Sequence, residues 1–483
     1  MTLLLNLRAA VPSHANLPRC VIRSLSLLLL MTVLAAAAAP AQAATRDPSL
    51  PDIQHVWIVV LENKNYADSF GPDTEAPYLA RELTRVGQLL PNYFGTSHAS
   101  LGNYITMVSG QAANGDTQAD CLVFRDVFPG VVSPADGQVV GQGCVYPKEA
   151  KTIADQLDGA GLRWRGYMED MANTPGAPKT CRHPAIGAQD DTQSARAHDQ
   201  YATRHNPFVY FHSIIDSPTC DANVVPLEQL TTDVKSASTT PNFAFITPDL
   251  CNDGHDTTCA DGGPGGLQAA DAFLRRWVPA ITQSPGFARH GMLIVTWDEA
   301  NLDKTEACCD EQTGPNTPSP GVTGPGGGQT GTVVISPFTK PGSVNDTQYN
   351  HYGLLRSIED LFGFDHLGYA GRAGLKPFGA DVYNATAPKP PPATNPVCKG
   401  AKSGKPVAGL RLRDRLLTFR ARRTARVRLT ARTNGRKRVL RKPRRVVACR
   451  TYSLKVPKGT TSVTLRGAGT KQRVRRTASG EHG

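Results

Sequence analysis

The chain has 483 residues, enough for one large α/β domain and a smaller module. Its net charge of +12 is unevenly divided: residues 398–483 hold 27 Lys+Arg and 2 Asp+Glu, against 26 and 39 in the first 397. An acidic body with a basic tail excludes a uniformly basic surface, and no two cysteines have the CxxC spacing of a zinc ribbon or a thioredoxin-like centre.

Met1 to Ala43 reads as a secretory signal peptide with an extended n-region. Arg19 and Arg23 precede an apolar run from Leu25 to Ala39, and Ala41-Gln42-Ala43 is a small-residue cleavage site. The run is too short to favour a spanning helix, and with no Arg-Arg pair the general secretory route is expected over the twin-arginine one. Localisation is therefore expected to be extracellular or at the cell envelope. Ten cysteines follow the leader, and an even count in an exported chain points to disulfides. Cys121 with Cys144 and Cys251 with Cys259 are the local pairs; adjacent Cys308 and Cys309 have no assignment.

The body, residues 44–386, contains three short apolar runs that read as buried parallel strands. HVWIVVLEN ends on Glu62 and Asn63, FAFITPD on Asp249, and MLIVTWDE on Asp298 and Glu299. In open α/β sheets the ligand site lies beyond the carboxyl ends of the strands, so carboxylates there suggest a hard-metal site. Between the first two runs, GTSHASLGNYITMVSG places Ser100 near a helix N-terminus, where free amides favour an anion, with Asn103 one turn on. Ser100 as a plain helix cap is the competing reading. There is no GxSxG, so a lipase-type nucleophile elbow is not supported.

NDGHD follows Asp249, and its glycine lets Asp253 and His255 face one point across a tight turn. Residues 267–282 and 351–362 have helical spacing, the second opened by His351, which suits either a cap or a group that protonates a leaving alcohol. Residues 112–145 and 302–329, rich in Gly, Pro, Asp and Thr, read as long loops at the mouth of the site.

The proline tract at 387–396 marks a semi-rigid linker, residues 387–397. Beyond it arginine alternates with apolar residues at a period near two, and Thr433-Asn434-Gly435 supplies a turn, so 398–483 reads as a small basic all-β domain that Cys398 and Cys449 could staple. Outward arginines suit an anionic cell-envelope polymer or lipid surface; no dedicated nucleic-acid motif is present. Oligomeric state has no signal.

Taken together, ENKNYADSFG, SHASLGNY, TPDLCNDGHD, VTWDE and NHYGLLRSIED resemble, in this order, the phosphoesterase family of secreted acid phosphatases and phosphatidylcholine-type phospholipases C, related in fold to alkaline phosphatase. The resemblance covers about residues 53–380. It implies an α/β fold, a three-layer alkaline-phosphatase-like domain with a mostly parallel central sheet, beside the small C-terminal all-β domain. It implies one divalent metal held by Glu62, Asn63, Ser100, Asp298 and Glu299, with Ser100 as nucleophile. Asn103, His98 and Asp253 are implied to bind substrate, and His255 and His351 to handle protons. Oxygen donors favour Mg²⁺, Ca²⁺ or Mn²⁺.

Two departures qualify the resemblance. Relatives often carry Pro after the nucleophile, where this chain has Leu101-Gly102, and the loop after VTWDE lacks the further histidine common there, which favours a single metal. The expectation is hydrolysis of phosphate monoesters, as in an acid phosphatase. A phospholipase C or other diester hydrolase is the alternative, and a polyanion-binding envelope protein with an inactive body is the alternative of another class.

Overall fold

The computed structural model describes residues 47–385, 407–413, 415–421, 425–446, 451–467 and 470–475. The expected signal peptide, the proline-rich linker and the Cys398–Cys449 staple lie outside these residues.

The body is built on an eight-stranded sheet. Its strands are β1 (His55–Leu61), β2 (Gln88–Leu90), β3 (Trp164–Met168), β4 (Val224–Pro226), β5 (Phe243–Thr247), β6 (Gly291–Trp297), β7 (Thr332–Ile335) and β8 (Ser343–Val344), in the spatial order β8-β2-β7-β6-β1-β5-β3-β4. Pairing is parallel throughout, except where β7 runs antiparallel to β6 and β2. The sheet is thus mostly parallel, as expected.

Every residue of β1 is buried, because both faces of the sheet are covered. Alternate side chains go to opposite sides. Val56, Ile58 and Val60 join one core with α1 (Ser100–Ser109), α2 (Ile153–Gly159) and α4 (His351–Phe362). Trp57, Val59 and Leu61 join a second core with α3 (Gly266–Thr282). Full burial of such a Val or Leu contributes roughly 1.5–3 kcal/mol. Two cores on two sides of one sheet are the three layers expected from the sequence.

Helix ends follow local chemistry. Thr152 and Asp155 form a reciprocal capping box at the start of α2. The Asn350 side chain accepts from Gly353 N at 3.0 Å to cap α4, and Gly363 ends that helix at φ 73°. The stretch 112–145 is not all loop: Phe128–Val132 pairs antiparallel with Val139–Gln142. Pro129, Gly130 and Gly141 interrupt the alternation that would have announced this ribbon. Residues 302–329 hold no helix or strand.

Disulfides join Cys121 to Cys144, Cys181 to Cys220, Cys251 to Cys259, and Cys308 to its neighbour Cys309. Among the described residues no helix is long and apolar enough to cross a membrane.

The C-terminal part contains two antiparallel sheets. Its strands are β9 (Val407–Arg413), β10 (Leu416–Ala421), β11 (Ala425–Thr433), β12 (Arg436–Val446), β13 (Thr451–Lys455), β14 (Thr460–Gly467) and β15 (Thr470–Arg475). They form sheets of order β9-β10-β13 and β12-β11-β14-β15. Leu412, Leu417 and Phe419 from the first and Val427, Leu429, Val463 and Leu465 from the second share one core, which makes this a small β-sandwich.

Candidate active site

The site forms where β1 and β6 end side by side, with Leu61 paired to Trp297. Glu62 and Asn63 therefore emerge next to Asp298 and Glu299. Asn63 takes the left-handed conformation, φ 44°, which asparagine tolerates better than most residues. Its backbone N–H donates to Asp298 Oδ1 at 3.1 Å and its Nδ2 to Glu299 Oε1 at 2.7 Å. The metal-ligand candidates are thus stitched to one another.

Ser100 occupies the first position of α1, and its hydroxyl donates to Glu62 Oε2 at 2.6 Å. It does not cap the helix: the cap residue is Ala99, with no side-chain bond. The other Glu62 oxygen accepts from Tyr104 Oη at 2.5 Å. One helix therefore delivers both hydroxyls to one carboxylate. The N–H of Leu101, next along α1, is taken by Asp120 Oδ1 at 3.0 Å.

His98 and Asn103 are buried, and their polar atoms are occupied. His98 Nδ1 meets Glu299 Oε2 and its Nε2 faces the Lys304 carbonyl at 2.8 Å. Asn103 Oδ1 accepts from Thr96 N at 2.8 Å and Ser97 N at 3.0 Å, while Nδ2 donates to Ser97 O at 2.9 Å. In this arrangement the two residues hold Glu299 and the turn before Ser100.

His351 is also fully engaged. Its Nε2 lies 2.5 Å from the Asp298 carbonyl and its Nδ1 3.0 Å from Tyr93 Oη. Burial pushes its pKa down to about 4, so the ring is neutral, donating from Nε2 and accepting at Nδ1. Both ring nitrogens are engaged in this arrangement, and His351 fixes the Asp298 main chain.

NDGHD does reach the site. Glu62 N donates to the Asp253 carbonyl at 2.9 Å, which pins the loop to the end of β1. Gly254 sits at φ 107° against Trp297, where a Cβ would come within 2.8 Å of the indole, so only glycine serves. Asp253 is buried, with one oxygen on His255 N at 2.8 Å and Oδ2 without a partner. His255 is half-exposed, its Nδ1 2.7 Å from Asp256 Oδ1; that hydrogen bond raises its pKa above the ordinary value, against burial. Asp256, which orients it, was not anticipated.

Sequence reasoning also missed His205 and Arg204. His205 is buried and stacks on Tyr104 at 5.2 Å, with both ring nitrogens unpartnered. Nε2 stands 3.3 Å from Glu62 Oε2 and Nδ1 3.7 Å from Asp253 Oδ2. Burial holds its pKa well below the usual value, with the Arg204 charge adding to the effect. Arg204 lies 3.7 Å from Asp120 and donates to the Gln193 carbonyl at 3.0 Å. The segment TRHNPFVYF carries no spacing that would mark either residue; the fold alone brings them in.

Four buried carboxyl groups meet at this point. Glu62, Asp253, Asp298 and Glu299 are all buried. Burial raises the pKa of each, and the Glu62 charge raises the other three further. Such a cluster is costly unless compensated. Asn63 Oδ1 and Asp298 Oδ2 are shielded from solvent and lack partners. Among the described residues no three His, Cys, Asp or Glu side chains can by themselves hold a metal ion. The expected set also uses Asn63 and Ser100, and its all-oxygen chemistry fits a hard divalent ion.

The Phosphoesterase family profile matches residues 73–365, a span that includes Ser100, Asp253, His255, Asp298 and His351 but begins after Glu62. A probable acid phosphatase from Kluyveromyces lactis is 26% identical over 334 residues, covering 68% of this chain and 63% of that protein. A phosphate-repressible acid phosphatase from Penicillium chrysogenum is 26% identical over 59% of this chain and 55% of its own length. A phosphatidylinositol-3-phosphatase from Mycobacterium tuberculosis is 25% identical, covering 67% and 82%. The chain thus spans less than two thirds of the first two relatives. A solved Vibrio parahaemolyticus protein of the alkaline phosphatase superfamily overlaps 86% of this chain and 84% of its own, with 12% identity and a TM-score of 0.39. The family match extends over most of the chain, which belongs to the Phosphoesterase family.

Proposed function

We propose that this member of the Phosphoesterase family is a secreted, metal-dependent phosphatase that hydrolyses phosphate monoesters through a phosphoserine at Ser100. One observation carries the reading: the Ser100 hydroxyl, on the first turn of α1, is held by a buried carboxylate at 2.6 Å beside the unpartnered His205 ring. The phosphatase names of the relatives support the monoester class. Disulfide bonds support an oxidising, extracellular setting.

Glu62, Asn63, Ser100, Asp298 and Glu299 would hold the divalent ion, Mg²⁺, Ca²⁺ or Mn²⁺, which when bound neutralises phosphoryl charge and acidifies the serine hydroxyl. Ser100 Oγ attacks phosphorus in line while Glu62 Oε2 takes its proton. The bond from phosphorus to the alcohol oxygen breaks, and His255, kept protonated by Asp256, gives its proton to the departing oxygen. Water then attacks the phosphoserine from the opposite side. Neutral His255 takes its proton, the Ser100–phosphorus bond breaks, and Glu62 returns a proton to Oγ. His205 and Asp253 present their unpartnered atoms to the phosphoryl group or its proton. His98, Asn103 and His351 hold the carboxylates and the serine turn in place.

The test is phosphate release from p-nitrophenyl phosphate by the purified protein, with and without chelator, beside Ser100→Ala. Loss in both treatments supports the reading. No release by the unaltered protein, across acid and neutral pH after metal replenishment, overturns it and moves attention to phosphatidylcholine and other diesters.

A further inference from the structure

We propose that the outer face of the sheet β12-β11-β14-β15 docks onto a membrane surface bearing anionic phospholipid. The inner face of this sheet, through Val427, Leu429, Val463 and Leu465, closes the sandwich core. Alternation sends the intervening residues outward. Register then sets Arg428 opposite Arg466, and Arg466 opposite Lys471, in one row across three strands. Arg432 and Arg475 flank Ser462 in a parallel row, and Arg473 pairs with Thr464 between them. All six cations are exposed.

Like charges directly opposed on a sheet disfavour its folding. Residues 407–475 themselves supply almost nothing to relieve them, with a single acidic residue, Asp414. The opposite face of the sandwich is built differently. There Arg411 pairs with Thr418, Arg413 with Leu416, Leu416 with Lys455, and Arg420 with Thr451, so among the described residues no cation opposes a cation. Among the described residues opposed charge is confined to one face, and an external anion offsets its cost.

The geometry of that face selects the anion. Neighbouring strands are about 4.8 Å apart and alternate residues about 6.8 Å along a strand, so the cations tile a plane instead of lining a single-file trough. A plane of phosphate headgroups matches that distribution. Single-stranded nucleic acid needs exposed rings to stack on. The only aromatic residues of 407–475, Phe419 and Tyr452, stack on each other at 5.3 Å, Phe419 buried in the core and Tyr452 packed against it.

The test is co-sedimentation of the purified chain with vesicles of phosphatidylcholine, with and without phosphatidylglycerol. It is run with the row variant Arg428→Gln/Arg466→Gln/Lys471→Gln and the charge-matched control Arg411→Gln/Arg413→Gln/Lys455→Gln. Expected is salt-sensitive binding only when phosphatidylglycerol is present, weakened at least about tenfold in the row variant and less than about threefold in the control. A second variant on the same face, Arg432→Gln/Arg473→Gln/Arg475→Gln, reproduces the loss and guards against a folding defect in the first. Equal losses in row and control variants overturn the proposal in favour of net charge alone. Binding of soluble polyphosphate that the row variant weakens, with vesicle binding unchanged, overturns it in favour of a polymer ligand. Docking by this face is independent of hydrolysis by the body.

Discussion

The Ser100 hydroxyl and Glu62 Oε2 lie 2.6 Å apart, although 38 positions separate them in sequence. The contact exists because β1 ends where α1 begins, and it joins the proposed nucleophile to its proposed proton acceptor. Ser100→Ala should lower kcat for p-nitrophenyl phosphate by at least about a thousandfold, and Glu62→Gln by at least about a hundredfold, with the melting temperature little changed. Steady-state kinetics with thermal melts on the same samples check both.

In the proposed reaction His205 serves activity at the expense of stability. Its two buried ring nitrogens face Glu62 and Asp253 without making a hydrogen bond. Unsatisfied buried groups cost roughly 1–3 kcal/mol each. His205→Phe keeps the stacking on Tyr104 and removes the penalty. The variant should melt several degrees higher and turn over at least about a hundredfold more slowly; a variant that is both less stable and fully active contradicts the assignment.

Asp256 raises the pKa of His255 through the 2.7 Å hydrogen bond, so His255 stays protonated to higher pH than an isolated histidine. If protonated His255 serves the leaving group, the alkaline limb of the kcat profile falls as that proton is lost. Asp256→Asn withdraws the support, and the limb should move to lower pH. An unmoved limb assigns the proton to another group.

Asp381 tests stability away from the chemistry. Burial alone would raise its pKa, but hydrogen bonds from Tyr349 at 2.7 Å and Thr347 at 2.9 Å, with Lys376 nearby, bring it down to about 2. A depressed carboxylate stabilises the fold above its unfolded value, 3.8, and loses that contribution as pH falls through 2. Asp381→Asn should cost about 1–2 kcal/mol at neutral pH. The gap from the unaltered protein should close between pH 4 and pH 2 in denaturant titrations.

Periodicity carried most of the architecture. The helices expected at 267–282 and 351–362 are Gly266–Thr282 and His351–Phe362, because strong amphipathic spacing fixes a helix even without its partners. The apolar runs ending at Glu62, Asp249 and Asp298 became neighbouring strands for the same reason. Individual roles were less legible. The ring of His351 is consumed by Tyr93 and the Asp298 carbonyl, contacts that exist only after α4 packs beneath the sheet end. His205 gave no local signal, since its neighbours in the site come from β1, α1 and the Asp253 loop. Asp256 was in view within NDGHD, but only the folded turn shows it touching His255.

The disulfide Cys251–Cys259 brackets Asp253, His255 and Asp256 within one short loop. Even a ring this small contributes about 2–3 kcal/mol through chain entropy, and it limits how far the loop can wander. Material matured where thiols stay reduced would therefore melt earlier, with this bridge and the Cys121–Cys144 and Cys181–Cys220 bridges open, and would turn over poorly as well. For this chain the history of oxidation is written in specific activity, and a reductant added during assay is a perturbation of the catalyst, not a neutral ingredient of the buffer.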